Sequence, residues 1–199
     1  MADHLRLMGR PHDEQAAAVE AFVRDEPVLM DVLSGIGDLP EGMLVAGAIY
    51  NLVWNRLTGR PPLNGIADID VFYFDPLDLS WEAEDIVIKE LARRFAHLPL
   101  PVQVRNQARV HLWFPQKFNQ PFAPLSGAAE MLTRYASKTH AVAVSLDERG
   151  GMTIHAPFGL EPIFAFRVVP NHVLANRPAH EKKGERAKSV WPELTVEPW

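Results

Sequence analysis

Asp68 and Asp70 stand two positions apart in Asp68-Ile69-Asp70, at the head of a β-branched and aromatic run that ends at Asp75. Alternate side chains of a strand share a face, so both carboxylates point the same way, with Cα atoms ~7 Å apart from twice the ~3.3 Å rise. Two carboxylates at that reach can hold one or two hard cations through oxygen. Mg²⁺ (or Mn²⁺) held by so few protein ligands completes its shell with water and substrate phosphate. Asp68 and Asp70 are therefore the candidate metal ligands and candidate catalytic residues. Upstream, the apolar run Met43–Ala46 passes into Gly47 and then into a helical pattern. Glycine there lets backbone approach a ligand closely. The helix N-terminus that follows, at Gly47 and Ala48, offers phosphate its free N–H groups and the positive end of its dipole. A phosphate cradle followed by paired carboxylates is the equipment of metal-assisted phosphoryl or nucleotidyl transfer. Singly, an Asp-x-Asp is more often a solvated strand end, and a glycine between strand and helix is more often only a turn. The order strand–Gly–helix–loop–Asp-x-Asp–strand carries the reading.

The elements that must position these groups follow from the hydrophobic pattern. Asp13–Arg24 reads as a helix with acids in its first turn and a Val19, Phe22, Val23 stripe. A second helix starts near Glu26-Pro27 and turns Leu29, Val32, Leu33 and Ile36 inward. Met43–Ala46 is a buried strand, Ala48–Leu57 a helix ended by Gly59, and Asp68–Asp75 a strand. Ser80 caps a helix over Trp81–Ala96. Val102–Phe114 reads as one long strand, or two joined by a bend. A short helix near Ser126–Ala136 follows, then strands near Thr139–Leu146 and Met152–His155 joined by the turn Asp147–Gly151. A strand over Phe164–Val169 and a polar helix over Ala179–Ser189 complete the chain. Within that helix, Glu181–Lys188 (EKKGERAK) reads as a solvated face. The expected fold is α/β (α+β): a small mixed sheet with packed helices, core about 26–114, and a C-terminal α+β portion about 125–199 sharing the core of one domain over 1–199.

Composition narrows the chemistry. The 199 residues are 47% hydrophobic and 23% charged, a globular balance that excludes disorder throughout. With 20 Lys+Arg against 25 Asp+Glu the formal net charge is −5, which argues against a protein held to a long polyanion by backbone charge alone. There is no cysteine, so disulfides, thiolate metal sites and thiol nucleophiles are excluded. No apolar run approaches the ~20 residues that span a bilayer, so no membrane partner is expected. The N-terminal Met1-Ala2-Asp3-His4 lacks the basic and apolar regions of a signal peptide, and a cytoplasmic location is the simplest expectation.

The segment VAGAIYNLVWNRLTGRPPLNGIADIDVFYFD, Val45 to Asp75, resembles the core motif of the polymerase-β-type nucleotidyltransferase superfamily: a strand, a small-residue turn, a helix, then Asp-x-Asp on the next strand. Ser80–Asp85, Val102–Phe114, Ala156–Asn171 and Trp191–Trp199 extend the likeness to a bacterial nucleotidyltransferase-like family long known as a domain of unknown function. The resemblance implies that Asp68 and Asp70 bind metal, that Gly47 and Ala48 contact phosphate, and that a nucleoside triphosphate is the substrate. Two departures stand out. The superfamily turn has Ser or Thr after its glycine, and this chain has Ala48 preceded by Ala46. The superfamily also places a third carboxylate on a later strand, and Val102–Phe114 has no acid.

That segment offers donors instead: Gln103, Arg105, Asn106, Gln107, Arg109 and His111. Arginine forks suit phosphate, an amide suits a base edge or a sugar, and a histidine titrating near neutrality is a candidate general base. Arg105, Asn106 and Arg109 are thus candidate nucleotide contacts, and His111 a candidate replacement for the missing acid. The expected reaction is Mg²⁺-dependent transfer of a nucleoside monophosphate from an NTP to an acceptor left open between small molecule, protein and RNA. Two other readings stay open: a catalytically inactive nucleotide- or metal-binding regulatory module, and a metal-dependent nuclease or phosphatase that leaves the glycine turn unexplained. A third Asp or Glu converging on Asp68 and Asp70 favours the enzyme over the module.

Overall fold

Ile69, Val71 and Tyr73 alternate with Asp70 and Phe72, and that period of two turns three apolar side chains of strand β2 (Ile69–Tyr73) into the core. The computed structural model describes residues 2–199, so of the N-terminal stretch Met1–His4 only Met1 lies outside the described residues. Strand β1 (Met43–Val45) pairs antiparallel with β2 and sets Val45 opposite Asp70. Strand β3 (Val102–Asn106) pairs parallel on the other side and sets Gln103 opposite Asp70. Strands β4 (Ala143–Leu146) and β5 (Met152–His155) complete a five-stranded mixed sheet in the order β3-β2-β1-β4-β5. The parallel β2–β3 pair requires a crossover, and helix α4 (Trp81–Arg94) supplies it. Ser80 begins α4 as expected, its hydroxyl accepting from the Ala83 N–H at 3.2 Å.

Helices α1 (His12–Arg24), α2 (Pro27–Gly35) and α3 (Gly47–Thr58) pack on the core through Val19, Val23, Leu29, Val32, Leu33, Ile49, Leu52 and Val53, all buried. Trp54 of α3 is fully buried and donates its indole N–H to the Ile163 carbonyl at 2.9 Å, which satisfies the one polar atom that burial would otherwise penalise. A second, two-stranded parallel sheet joins β6 (Arg167–Val168) to β7 (Thr195–Val196). Between these two strands in sequence runs helix α7 (Arg177–Val190). Its buried stripe, His180, Gly184 and Ala187, continues into Trp191, a 4-3-4 spacing that fits one helical face. A β-carbon on Gly184 would sit 2.6 Å from Val196 Cγ1, so only glycine lets α7 lie this close to β7.

Val102–Phe114 is not one strand. After β3 the Asn106 side chain accepts from the Ala108 N–H at 3.1 Å, and this cap turns the chain into a 3-10 turn (Gln107–Arg109) and helix α5 (Val110–Phe118). The period changes with it: Val110 and Phe114 are buried four apart, whereas Leu112, which a strand would turn inward beside them, is exposed. The short helix expected near Ser126–Ala136 is a 3-10 helix over Ala128–Arg134. Two shorter differences follow the same pattern of turns replacing longer elements. Lys138–His140 is a 3-10 turn ahead of β4. Glu161–Phe164 forms a short helix, α6, before the two residues of β6.

The first turn of α4 and the end of β3 are locked by a buried ion pair. Glu84 is 4% exposed. It accepts from the Asn106 N–H at 2.9 Å and pairs with the Arg109 guanidinium. The same guanidinium donates to the Leu79 carbonyl at 3.0 Å and lies over the Trp81 ring. Removing one partner strands the other charge away from water. Arg109→Leu should therefore lower folding stability by about 3 kcal/mol, read as a drop in the urea midpoint at unchanged slope.

Candidate functional site

Asp68 and Asp70 project from the head of β2 into a cavity of about 230 Å³. The first turn of α3 (Gly47, Tyr50, Asn51) forms one wall, with Ala46 before it. The loop Gly65–Ala67 forms another, and Lys183, Arg186, Ala187, Val190 and Trp191 line the rest. The two acids that sequence spacing placed on one face thus share the cavity with Gly47, the first residue of α3, whereas Ala48 is buried in the core.

The turn into α3 is strained. Ala46 precedes the helix at φ 54°, ψ −109°, a backbone region that costs a residue with a β-carbon roughly 1–2 kcal/mol. It is anchored from both sides: its N–H donates to the Val142 carbonyl at 2.8 Å, and its carbonyl accepts from the N–H groups of Ile49 and Tyr50 at 2.9 and 3.1 Å. A non-glycine residue held in such a conformation marks a turn whose shape the surroundings fix. The strained residue stands immediately before Gly47 and Ala48, the expected phosphate-contacting turn.

The acidic wall carries uncompensated charge. Asp68 accepts from the Gln103 amide at 2.7 Å. Burial pushes the Asp70 carboxyl up from its ordinary value, the neighbouring Asp68 charge adds to the rise, and the more distant Lys183 and Arg105 charges oppose it. Tyr50, in the α3 wall, is also pushed up, first by burial and then by Asp70. Beneath Tyr50 lies His140, stacked at 4.6 Å between ring centroids. Burial, followed by the Lys183 and His180 charges, drives its pKa down to about 3, so it is a neutral platform at physiological pH.

A family model described as a nucleotidyltransferase matches residues 36–196. The chain belongs to this nucleotidyltransferase family. No curated protein matches it. Among solved structures it is similar to a protein whose NMR structure reveals a CCA-adding enzyme head domain, at 26% identity and a TM-score of 0.72, over 91% of this chain and 94% of that one. The mixed α/β fold expected from the sequence is therefore the fold of a nucleotidyltransferase head domain.

Within this nucleotidyltransferase the other sequence candidates fall outside the cavity. Asn106 is buried and spent: its side chain holds Asp75 through two hydrogen bonds of 3.0 and 2.9 Å and caps the turn after β3. Arg109 is committed to Glu84. His111 sits in the first turn of α5, beyond the far end of β3. Arg105 is exposed on β3, acts on Asp70 through charge, and bonds the Val104 carbonyl. Among the described residues no third acid lines the cavity with the pair, and no group of three or more His, Asp or Glu side chains is placed to hold a metal ion. The strand position opposite Asp70, adjacent to the acids, holds Gln103.

Lys183 and Arg186 were hidden in the segment EKKGERAK, read as solvated. Both are exposed, as that reading required. What it lacked was the neighbour: the 180, 184, 187, 191 stripe in the sequence shows that α7 buries one face, but not that the adjoining face looks across at Asp68 and Asp70. Asn51 was missed because the α3 pattern drew attention to Ile49, Leu52, Val53 and Leu57.

Two measurements test these assignments. Ala46→Gly relieves the backbone strain and should raise stability by up to about 1 kcal/mol in urea denaturation. Asp70 releases its proton less readily in the folded chain than in the unfolded one, so its contribution is full below the ordinary value of 3.8 and is lost as pH rises through the raised folded value. At pH 7 and without divalent metal, Asp70→Asn should accordingly melt higher than the parent protein. At pH 3, where both states are protonated, that difference should vanish.

Proposed function

We propose that this nucleotidyltransferase moves a nucleoside monophosphate from an NTP to an acceptor hydroxyl with the help of a divalent cation. One observation supports this above the others: the acids at the head of β2 and the bases of α7 line a single cavity, and the Lys183 charge acts on Asp70 with no hydrogen bond between them. A metal–polyphosphate is dipolar in the matching sense, cation on one side and anion on the other.

The donor set fits a hard cation. Asp68 and Asp70 would hold it through oxygen, and with two protein carboxylates the remaining positions fall to water and phosphate, the coordination habit of Mg²⁺ or Mn²⁺. Such an ion neutralises charge that builds on the transferred phosphoryl group. The chain supplies the rest. The free N–H groups of Gly47 and Ala48 at the start of α3 hold a phosphate by backbone alone, which answers the absent Ser or Thr hydroxyl. Lys183 and Arg186 anchor the outer phosphates and draw them toward α7. Gln103, on the segment where the superfamily resemblance puts a third carboxylate, holds Asp68 in place but accepts no proton. The acceptor hydroxyl must then arrive with its own base or lose its proton to water. That same feature favours a second reading, a module that binds nucleotide without turning it over.

Incubation with labelled NTPs, Mg²⁺ and cell extract, with pyrophosphate measured alongside, separates the two. The enzyme reading expects label on an acceptor and pyrophosphate in step with it, both lost in Asp68→Asn and Asp70→Asn. Binding without label or pyrophosphate favours the module. Under either reading Lys183→Ala and Arg186→Ala should each weaken Mg²⁺–NTP binding about 10- to 100-fold, from 1.5–3 kcal/mol for a hydrogen bond to a charged group, in titration calorimetry.

A further inference from the structure

Asn51 and Asn55 lie one helical turn apart on α3, both buried, and their fates are opposite. Asn55 is fully enclosed and spends its whole amide: it donates to the Pro62 and Asn64 carbonyls at 2.8 Å each and accepts from the Trp191 indole at 2.9 Å. Asn51 is 9% exposed, and its Oδ1 is buried with no hydrogen-bond partner. Buried side-chain amides are rarely left unpaired, because the lost hydration is not returned. Asn51 also lines the cavity of Asp68 and Asp70. A β-carbon on Gly47 would lie 3.8 Å from its Nδ2 and 3.8 Å from the Tyr50 hydroxyl, which puts the amide directly above the turn that begins α3.

We propose that Asn51 hydrogen-bonds a ribose hydroxyl of the bound nucleotide and makes the site select ribonucleotides by that contact. The inference rests on the nucleotide reading above. An amide offers one acceptor and two donors, so its complement is a group that both donates and accepts. A phosphate at neutral pH is almost wholly an acceptor and leaves Oδ1 unpaired; a hydroxyl can donate to it. The sugar is the part of a nucleotide joined directly to the α-phosphate, and Asn51 stands beside the N–H groups that would seat phosphate. The base lies further along the ligand.

Calorimetry without acceptor tests the contact. ATP, CTP, GTP and UTP are titrated in Mg²⁺, and the tightest is compared with its 2′-deoxy and 3′-deoxy analogues on the parent protein and on Asn51→Leu. The parent protein should bind one deoxy analogue about tenfold more weakly than the ribonucleotide, the value of one hydrogen bond to a group otherwise left unpaired. Asn51→Leu should lose that discrimination and bind the disfavoured analogue as the parent does, which also shows that it is folded. Because Asn51 serves the ligand and not the fold, Asn51→Leu without nucleotide should melt about 2–4 °C higher, whereas Asn55→Leu should melt lower. Equal affinity of the parent for ribo and both deoxy forms overturns the proposal while leaving nucleotide binding standing. So does a fall in melting temperature for Asn51→Leu like that of Asn55→Leu. Failure of the parent to bind any of the four triphosphates overturns the nucleotide reading and this contact with it.

Discussion

Asp68 and Asp70 are two like charges on one face, partly withdrawn from water, with no cation of the chain in hydrogen-bond contact. That repulsion is the constraint the surrounding structure serves. Burial and the neighbouring charge both hold the Asp70 proton, so the ionised pair costs stability that a bound cation would return. A chain selected only for stability would place a lysine within reach, and α7 shows that bases are close by. They are kept at a distance by packing.

The packing that keeps them there is unusually well fixed for a helix whose sequence is so polar. His180 bonds the Ser137 hydroxyl at 2.7 Å and the Glu197 carbonyl at 2.8 Å. Gly184 fits against Val196. Trp191, after the last turn, ties to Asn55 of α3 and packs tilted against Trp54, ring centroids 5.3 Å apart. The loop before β2 meets the same end of α7: Gly65 sits at φ 72°, where a β-carbon would come within 2.8 Å of the Trp191 ring. The two charged walls are therefore held through one aromatic cluster, and the gap between them is set by rigid groups and not by the flexible lysine and arginine side chains. Preorganisation of that kind lowers what a ligand must spend in ordering the site.

Much of this was legible in the chain itself. Pairs of short-range signals gave the acidic strand, the turn into α3, the Ser80 cap and the β4–β5 hairpin, because each depends on neighbours within a few residues. The segment after β3 failed for the same reason in reverse. Val102, Val104, Val110 and Leu112 satisfy a strand pattern, and only the Asn106 cap, which needs Asp75 from the loop after β2 to orient it, shows that the chain turns there. Arg109 looked like a phosphate ligand until its buried partner Glu84, 25 residues away, appeared.

The sequence alone determined which groups could do chemistry and that two of them share a face, since the alternation of a strand is a property of the backbone. It also determined that any metal is held by oxygen or imidazole, because there is no cysteine. Only the tertiary structure decided what faces that pair. Lys183 and Arg186 lie more than a hundred positions from Asp68, on a helix whose local pattern reports burial but not direction. The unpaired amide of Asn51 is equally invisible in one dimension: beside Asn55 it is the same residue type at the same helical spacing, and what separates the two is which of them has partners brought to it by the fold.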